Sequence, residues 1–279
     1  MRRTAILLIG LAVLLSGGRP SAGQAPVRAE PAGFRFAIVG DRTGEAQPGI
    51  WERVWREVNK SNPAFVVSVG DVIQGQDDAT AETQWRELLL TLATYRRIPI
   101  YFAPGNHDVW SERSAELYRK YSGRPLHYSF DRGPAHFVVL DDSRSDVLPP
   151  EEMTFLESDL AAHAGAAVKF VIMHRPSWIL DAALHNAQAP LHVVAKRYGV
   201  RWIIAGHVHQ LIHAEVEGVT YLAVPSSGGH LRLSARYEDG WFFGWTGVEV
   251  VGGEADLTVH ELDGRTTKPD QWGLAGLIR

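Results

Sequence analysis

The chain has 279 residues, 45% hydrophobic and 22% charged, with a net charge of -4 and a pI near 6.3. This is enough apolar length for one large core or two small ones, and the slightly acidic balance gives no electrostatic reason to expect nucleic acid as a partner. The sequence contains no cysteine, which excludes disulfides and a lipid-bearing cysteine.

Residues 1–25 stand apart. Arg2 and Arg3 precede an apolar stretch from Ala5 to Leu15, and small residues follow through Ser21, Ala22, Gly23 and Ala25. This is the layout of a secretory signal peptide, its apolar core too short for a stable membrane span. The expectation is a secreted or periplasmic protein whose mature part, 26–279, is a single domain with no membrane span.

From Phe34 onward strand-like and helix-like segments alternate: a strand to Val39, an amphipathic stretch Pro48 to Asn59, a strand Phe65 to Val69, a second amphipathic stretch Ala81 to Arg96, and a strand Ile98 to Ala103. In the first amphipathic stretch Ile50, Val54 and Val58 recur at helical spacing, while Glu52, Arg53, Arg56 and Glu57 fill the other face. Such alternation predicts a parallel sheet layered by helices. His127 to Phe130 and Ala135 to Leu140 read as a hairpin, Pro149 opens a helix whose first turn holds Glu151 and Glu152, and a strand Lys169 to Met173 follows.

Past His209 the texture turns β-rich, with strands expected at Ala214 to Val216, Val219 to Val224, His230 to Tyr237, Trp241 to Val250 and Ala255 to Glu261. A second sheet packed on the first makes the expected fold α/β, a two-sheet β-sandwich flanked by helices. No linker or internal repeat divides it.

Five polar clusters follow apolar runs directly: Gly40-Asp41, Gly70-Asp71, Gly105-Asn106-His107-Asp108, His174, and Gly206-His207-Val208-His209. Each therefore sits at the carboxyl end of a predicted strand, where open α/β sheets build their sites. Mixed carboxylate, amide and imidazole ligands suit divalent ions such as Zn, Mn or Fe.

In this order and spacing the clusters GD, GD, GNHD, H and GHVH resemble the calcineurin-like metallophosphoesterase superfamily, over nearly all of the mature chain. The resemblance implies two divalent ions (Mn, Fe, Zn or Mg). One would be held by Asp71, Asn106, His174 and His207, and the other by Asp41, Asp71 and His209, with Asp71 bridging. It also implies hydrolysis of a small phosphorylated substrate, a phosphomonoester or phosphodiester, by a metal-bridging hydroxide. His107 would be the leaving-group acid, its imidazole oriented by Asp108.

The chain departs from that pattern at its first motif. Position 43 is Thr where the common family form has His, and Gln74 stands where purple acid phosphatase-like members have Tyr. The first ion then has three firm ligands, with Thr43, Gln74 or water to complete its shell, and neutral oxygens tilt it toward hard ions or partial occupancy. Arg42 and Arg175, each following a ligand, are candidates to grip substrate phosphate, and each has a structural alternative. His230 follows the small-residue loop Ser226 to Gly229 and is a candidate substrate contact, while Trp110 and Trp178 are candidate pocket walls. The loops Gln74 to Ala79, Val109 to Ser114, Ser143 to Pro149 and Ile179 to Ala189 suggest an open cleft, and a monomer is expected. A non-catalytic metal or phosphate-ligand binding protein on the same fold is the alternative, and retention of His107 speaks against it.

Overall fold

The computed structural model describes residues 33–95, 98–232 and 235–273. The segment read as a signal peptide lies outside them.

In chain order the elements are β1 (Gly33–Val39), α1 (Ile50–Ser61), β2 (Val66–Ser68), α2 (Ala81–Leu92), β3 (Ile100–Phe102), α3 (Glu112–Ser122), β4 (Tyr128–Arg132) and β5 (Ala135–Val139). They continue with α4 (Pro150–Ala162), β6 (Val168–Ile172), α5 (Ile179–Ala183), α6 (Pro190–Tyr198), β7 (Trp202–Ala205), β8 (Ile212–Val216), β9 (Val219–Ala223), β10 (Gly244–Val251), β11 (Glu254–Glu261) and β12 (Thr266–Thr267). Two six-stranded sheets result, ordered β12-β11-β10-β1-β2-β3 and β4-β5-β6-β7-β9-β8. β1, β2 and β3 run parallel in the first, and β5, β6, β7 and β9 run parallel in the second.

An aromatic seam joins the sheets. Phe36 of β1 stacks on Phe65 with ring centres 4.9 Å apart and meets Phe137 and Phe170 edge-on at 5.2 and 5.5 Å. All four rings are buried, and burying a Phe contributes about 2 kcal/mol by transfer alone. Helices cover the outer faces. α1 buries Trp51, Val54, Trp55 and Val58 against the first sheet, the face its sequence spacing predicts, and α4 and α6 cover the second.

The chain differs from its sequence reading in three places. The β-rich C-terminal part builds no sheet of its own: β8 and β9 extend the second sheet, whereas β10 returns antiparallel beside β1 and carries β11 and β12 with it. The expected strand at 230–237 is absent among the described residues: the His230 amide donates to the Gly44 carbonyl in the loop after β1, and Tyr237 begins a short 3-10 turn. The stretches 109–114 and 179–189, read as open loops, contain the start of α3 and all of α5. Ser111 starts α3 with a reciprocal cap through Ser114, which the absence of Glu or Gln at that spacing concealed.

On the hairpin, buried His136 donates from Nδ1 to Asp131 (2.7 Å) and from Nε2 to Asp159 (2.6 Å). Asp131, His136 and His163 are close enough to suggest a metal site, but the rings of His136 and His163 lie parallel, 4.0 Å apart and 15° from coplanar. An ion lies in the plane of each imidazole that binds it, so these two rings cannot share one. The geometry is that of an imidazolium between two carboxylates. Burial opposes the charge, yet Asp159 and Asp131 overcome it and raise the His136 pKa. Stabilisation by the charged ring is therefore complete below about pH 6.5 and is lost as pH climbs through the folded pKa. His136→Gln is expected to lower the melting temperature by several degrees at pH 6 and by progressively less toward pH 9; thermal melts across that range check it, and a pH-independent loss contradicts the charged form.

Candidate metal centre and active site

All five clusters emerge at the carboxyl ends of parallel strands: Asp41 after β1, Asp71 after β2, 105–108 after β3, His174 after β6 and 206–209 after β7. The two sheets bring these ends onto one edge. The His207 amide donates to Asp41 Oδ1 at 2.9 Å, and His174 Nε2 lies 3.2 Å from Asp71 Oδ2. Close backbone approach explains the glycines of two motifs: a Cβ at Gly105 would meet Asp71 Oδ1 at 2.1 Å, and one at Gly206 would meet Asp41 Oδ1 at 2.4 Å. Asp71, His207 and His209 hold left-handed backbone, with φ of 54°, 67° and 57°. Non-glycine residues persist in that region where the surrounding structure over-determines them.

His174 organises the first group of donors. Its Nδ1–H donates to the Val69 carbonyl at 2.9 Å, which turns Nε2 toward Asn106 Oδ1 (3.0 Å), Asp71 Oδ2 (3.2 Å) and His207 Nδ1 (3.2 Å). Four N and O atoms at this spacing fit a common ion with bonds of about 2.0 to 2.2 Å. The electrostatics agree. Burial would lower the His174 pKa, but Asp71, Asp41 and Asp142 raise it to about 10. Burial alone would raise Asp71, yet His174 and His107 hold it at about 2. A field that draws a proton this strongly draws a cation for the same reason. His207 is pushed down to about 4 by burial, His174 and Arg175, so its ring is neutral and offers a lone pair.

The second group is thinner. His209 donates from Nδ1 to the His230 carbonyl at 2.7 Å, leaving Nε2 3.3 Å from Asp41 Oδ2. Thr43 and Gln74, the groups named from sequence to complete this shell, are bonded to each other: Thr43 Oγ1 donates to Gln74 Oε1 at 2.5 Å.

Above the edge, His107 Nδ1–H donates to the Gln74 backbone carbonyl at 2.6 Å. A carbonyl only accepts, so this fixes the tautomer and makes Nε2 the nitrogen that exchanges a proton. Asp108 does not orient that ring, contrary to the expectation from sequence. It is buried and accepts from the amides of Asp71 (2.7 Å), Val72 (2.9 Å), Ile73 (3.2 Å) and Gly105 (3.0 Å). It clamps the Asp71 loop to the Asn106 loop, and burial together with the Asp71 charge raises its pKa.

Arg42, a candidate phosphate contact from sequence, is held at one nitrogen by the loop after β2. Its Nη1 donates to the Val72 carbonyl at 2.9 Å, and its nearest charges are Glu52, Glu87 and Asp108, so it braces the loop after β2 from behind. Burial lowers its pKa. Arg175 does reach the edge: its Nη1 lies 3.3 Å from His207 Nε2 and donates to Asp146 at 2.6 Å. His230 supports His209 through its carbonyl and turns Nδ1 to the Gly44 carbonyl at 2.6 Å, rather than facing substrate by that nitrogen.

Sequence reasoning passed over Asp142, buried directly behind the ligands, where it accepts from the amides of His174 (3.0 Å) and Arg175 (2.9 Å). The available signal was its place just after β5, on the same edge. Ser227, whose Oγ accepts from the Gly40 amide at 2.9 Å, was likewise missed.

The family model described as calcineurin-like phosphoesterase matches residues 34–211. The chain is 26% identical over 247 residues to the 3',5'-cyclic adenosine monophosphate phosphodiesterase CpdA of Escherichia coli (strain K12), covering 84% of this chain and 86% of that protein. It is 28% identical over 172 residues to a 3',5'-cyclic-nucleotide phosphodiesterase of Nostoc, covering 58% of this chain and 62% of that protein. Among solved structures, a purple acid phosphatase from Lupinus luteus superposes with a TM-score of 0.67 at 16% identity over 85% of this chain, which spans about half (53%) of that protein.

Proposed function

The chain belongs to the calcineurin-like phosphoesterase family, metal-dependent hydrolases of phosphoric esters, and on that premise we propose that it is an exported phosphodiesterase whose metal centre is asymmetric. The observation that carries this reading is the convergence of Asp71, Asn106, His174 and His207 on one point, with His107 fixed beside them by Gln74. Cyclic-nucleotide phosphodiesterases among the relatives favour a diester over a monoester.

Asp71, Asn106, His174 and His207 would hold one ion tightly; Asp41, Asp71 and His209 would hold a second more weakly. When bound, the ions supply Lewis-acid activation of the phosphoryl group and of water. The chain's own groups do the rest. Arg175 draws the substrate's negative charge to the edge beside His207. His107, pinned at Nδ1, acts in its imidazolium form: it gives the Nε2 proton to the departing oxygen and is left as the neutral ring with Nδ1–H still on the Gln74 carbonyl. Asp108 and Asp142 keep the ligand loops in register through their buried bonds to backbone amides.

Turnover of bis(p-nitrophenyl) phosphate and of 3',5'-cyclic AMP, with Mn, Zn or Mg supplied and with a chelator, tests the reading. Hydrolysis that requires an ion supports it; none on either diester with any ion overturns it. The asymmetry has its own test. Thr43→His adds an imidazole next to Asp41 and His209, and the affinity for a second Zn or Mn, measured by calorimetry, is expected to rise about 10- to 100-fold. An unchanged affinity means that Gln74 or another group already fills the place.

A further inference from the structure

Arg175 brings a positive charge to the metal edge, and a carboxylate already holds it. Its amide donates to buried Asp142 at 2.9 Å, so the start of the residue is fixed beside His174. Nε is buried, which leaves the guanidinium to meet the edge through its two Nη atoms. Nη1 stands 3.3 Å from His207 Nε2 and donates to Asp146 Oδ1 at 2.6 Å, while Nη2 is 3.5 Å from the Ser143 carbonyl. The nitrogen that reaches the ligands is thus the one that Asp146 occupies.

Asp146 contributes little to the fold. Its side chain is 91% exposed, and Arg175 is its single polar partner among the described residues. An ion pair so exposed adds little stability. The turn that carries it is closed without it: the Ser145 amide donates to the Asp142 carbonyl at 3.2 Å, and the Ser145 hydroxyl donates to the Val147 carbonyl at 2.7 Å. A carboxylate delivered to the outward nitrogen of an arginine acts instead on whatever anion arrives there. An incoming phosphoryl oxygen shares Nη1 with Asp146 or displaces it, and in both cases meets a second negative charge. A phosphodiester brings one negative charge and a phosphomonoester close to two. Coulomb energy is proportional to that charge, so the factor by which Asp146 weakens a monoester is about the square of the factor for a diester.

We infer that Asp146 is a specificity-determining residue: through Arg175 it disfavours doubly charged phosphomonoesters relative to singly charged phosphodiesters. The same bias hastens release of the monoester that hydrolysis of a diester leaves behind. The inference rests on the phosphoesterase reading for why such anions arrive, yet the anion affinities themselves need no turnover.

Calorimetry on the full chain supplied with Mn tests it, using two anions that hydrolysis does not consume: dimethylphosphinate, a monoanion, and methylphosphonate, mostly dianionic at pH 8.5. Asp146→Asn keeps an acceptor for Nη1 and removes the charge. It is expected to tighten dimethylphosphinate about threefold and methylphosphonate about tenfold, both gains shrinking toward unity in about 1 M KCl. Asp146→Glu retains the charge and is expected to hold both affinities within about twofold of wild type. In turnover, the ratio of kcat/KM for p-nitrophenyl phosphate to that for its bis ester is expected to rise about threefold in Asp146→Asn. Equal gains for the two anions, no gain, the same gain in Asp146→Glu, an unchanged kcat/KM ratio in an active enzyme, or failure of both anions to bind the wild type overturns the inference. Absent turnover of every phosphoester with every ion strikes the phosphoesterase reading instead, and the two anion affinities still decide this one.

Discussion

Asp71→Asn is expected to lower diester hydrolysis by at least about a thousandfold, equivalent to roughly 4 kcal/mol of transition-state stabilisation. The substitution is close to isosteric. Asn tolerates left-handed backbone better than other residues of its size, so the φ of 54° at this position costs it little. The His107 amide, which donates to Asp71 Oδ1 at 2.8 Å, keeps an acceptor. What is removed is the buried charge that faces His174. Steady-state kinetics with saturating Mn, backed by a thermal melt to confirm folding, measures the effect. A loss of only a fewfold in a folded protein would mean that Asp71 is no shared ligand.

His107→Gln should produce a loss that depends on the leaving group. The wild-type ring can deliver a proton only from Nε2, because Nδ1–H is held by the Gln74 carbonyl. Removing that proton should cost about 10² to 10⁴ for an ester whose leaving group is an alkoxide, as general acids typically contribute. A p-nitrophenyl ester departs as a stabilised anion and should lose tenfold or less. Equal losses on alkyl and p-nitrophenyl esters would point to phosphate binding by His107 rather than proton transfer.

Much of the ligand edge was legible in the sequence, for a definite reason. A buried parallel strand writes itself as an unbroken apolar run, so a polar residue just after it is already placed at the functional edge, as for Asp41, Asp71 and His174. Motif spacing also fixes neighbours along one loop, such as Asn106 with His107. What it does not carry is where a side chain points when its partner is distant in sequence. Asp108 adjoins His107 yet turns to amides 35 to 37 positions away, and Arg42 adjoins Asp41 yet reaches back to Val72. Asp142 was passed over for the same reason, since its partners lie across β5 and β6. Most of the C-terminal strands were found as strands, but β10 to β12 join the first sheet rather than the second, because alternation along a strand is silent about which neighbour it pairs with.

The departure at Thr43 gains a physical form in the structure. The residue is buried and its hydroxyl donates to Gln74, so the two neutral oxygens named from sequence to complete the Asp41 and His209 group are bonded to each other. The other group brings four donors together, with His174 Nε2 at 3.0 to 3.2 Å from Asn106, Asp71 and His207. This imbalance makes metal stoichiometry the measurement that bears most directly on the proposed centre. Purified full-length protein, dialysed and then titrated with Mn or Zn, is predicted to retain about one ion per chain tightly and to take up a second only at higher concentration, with hydrolysis appearing as the ions load. Turnover that continues undiminished after chelation, in protein that retains no ion at any concentration, would contradict it.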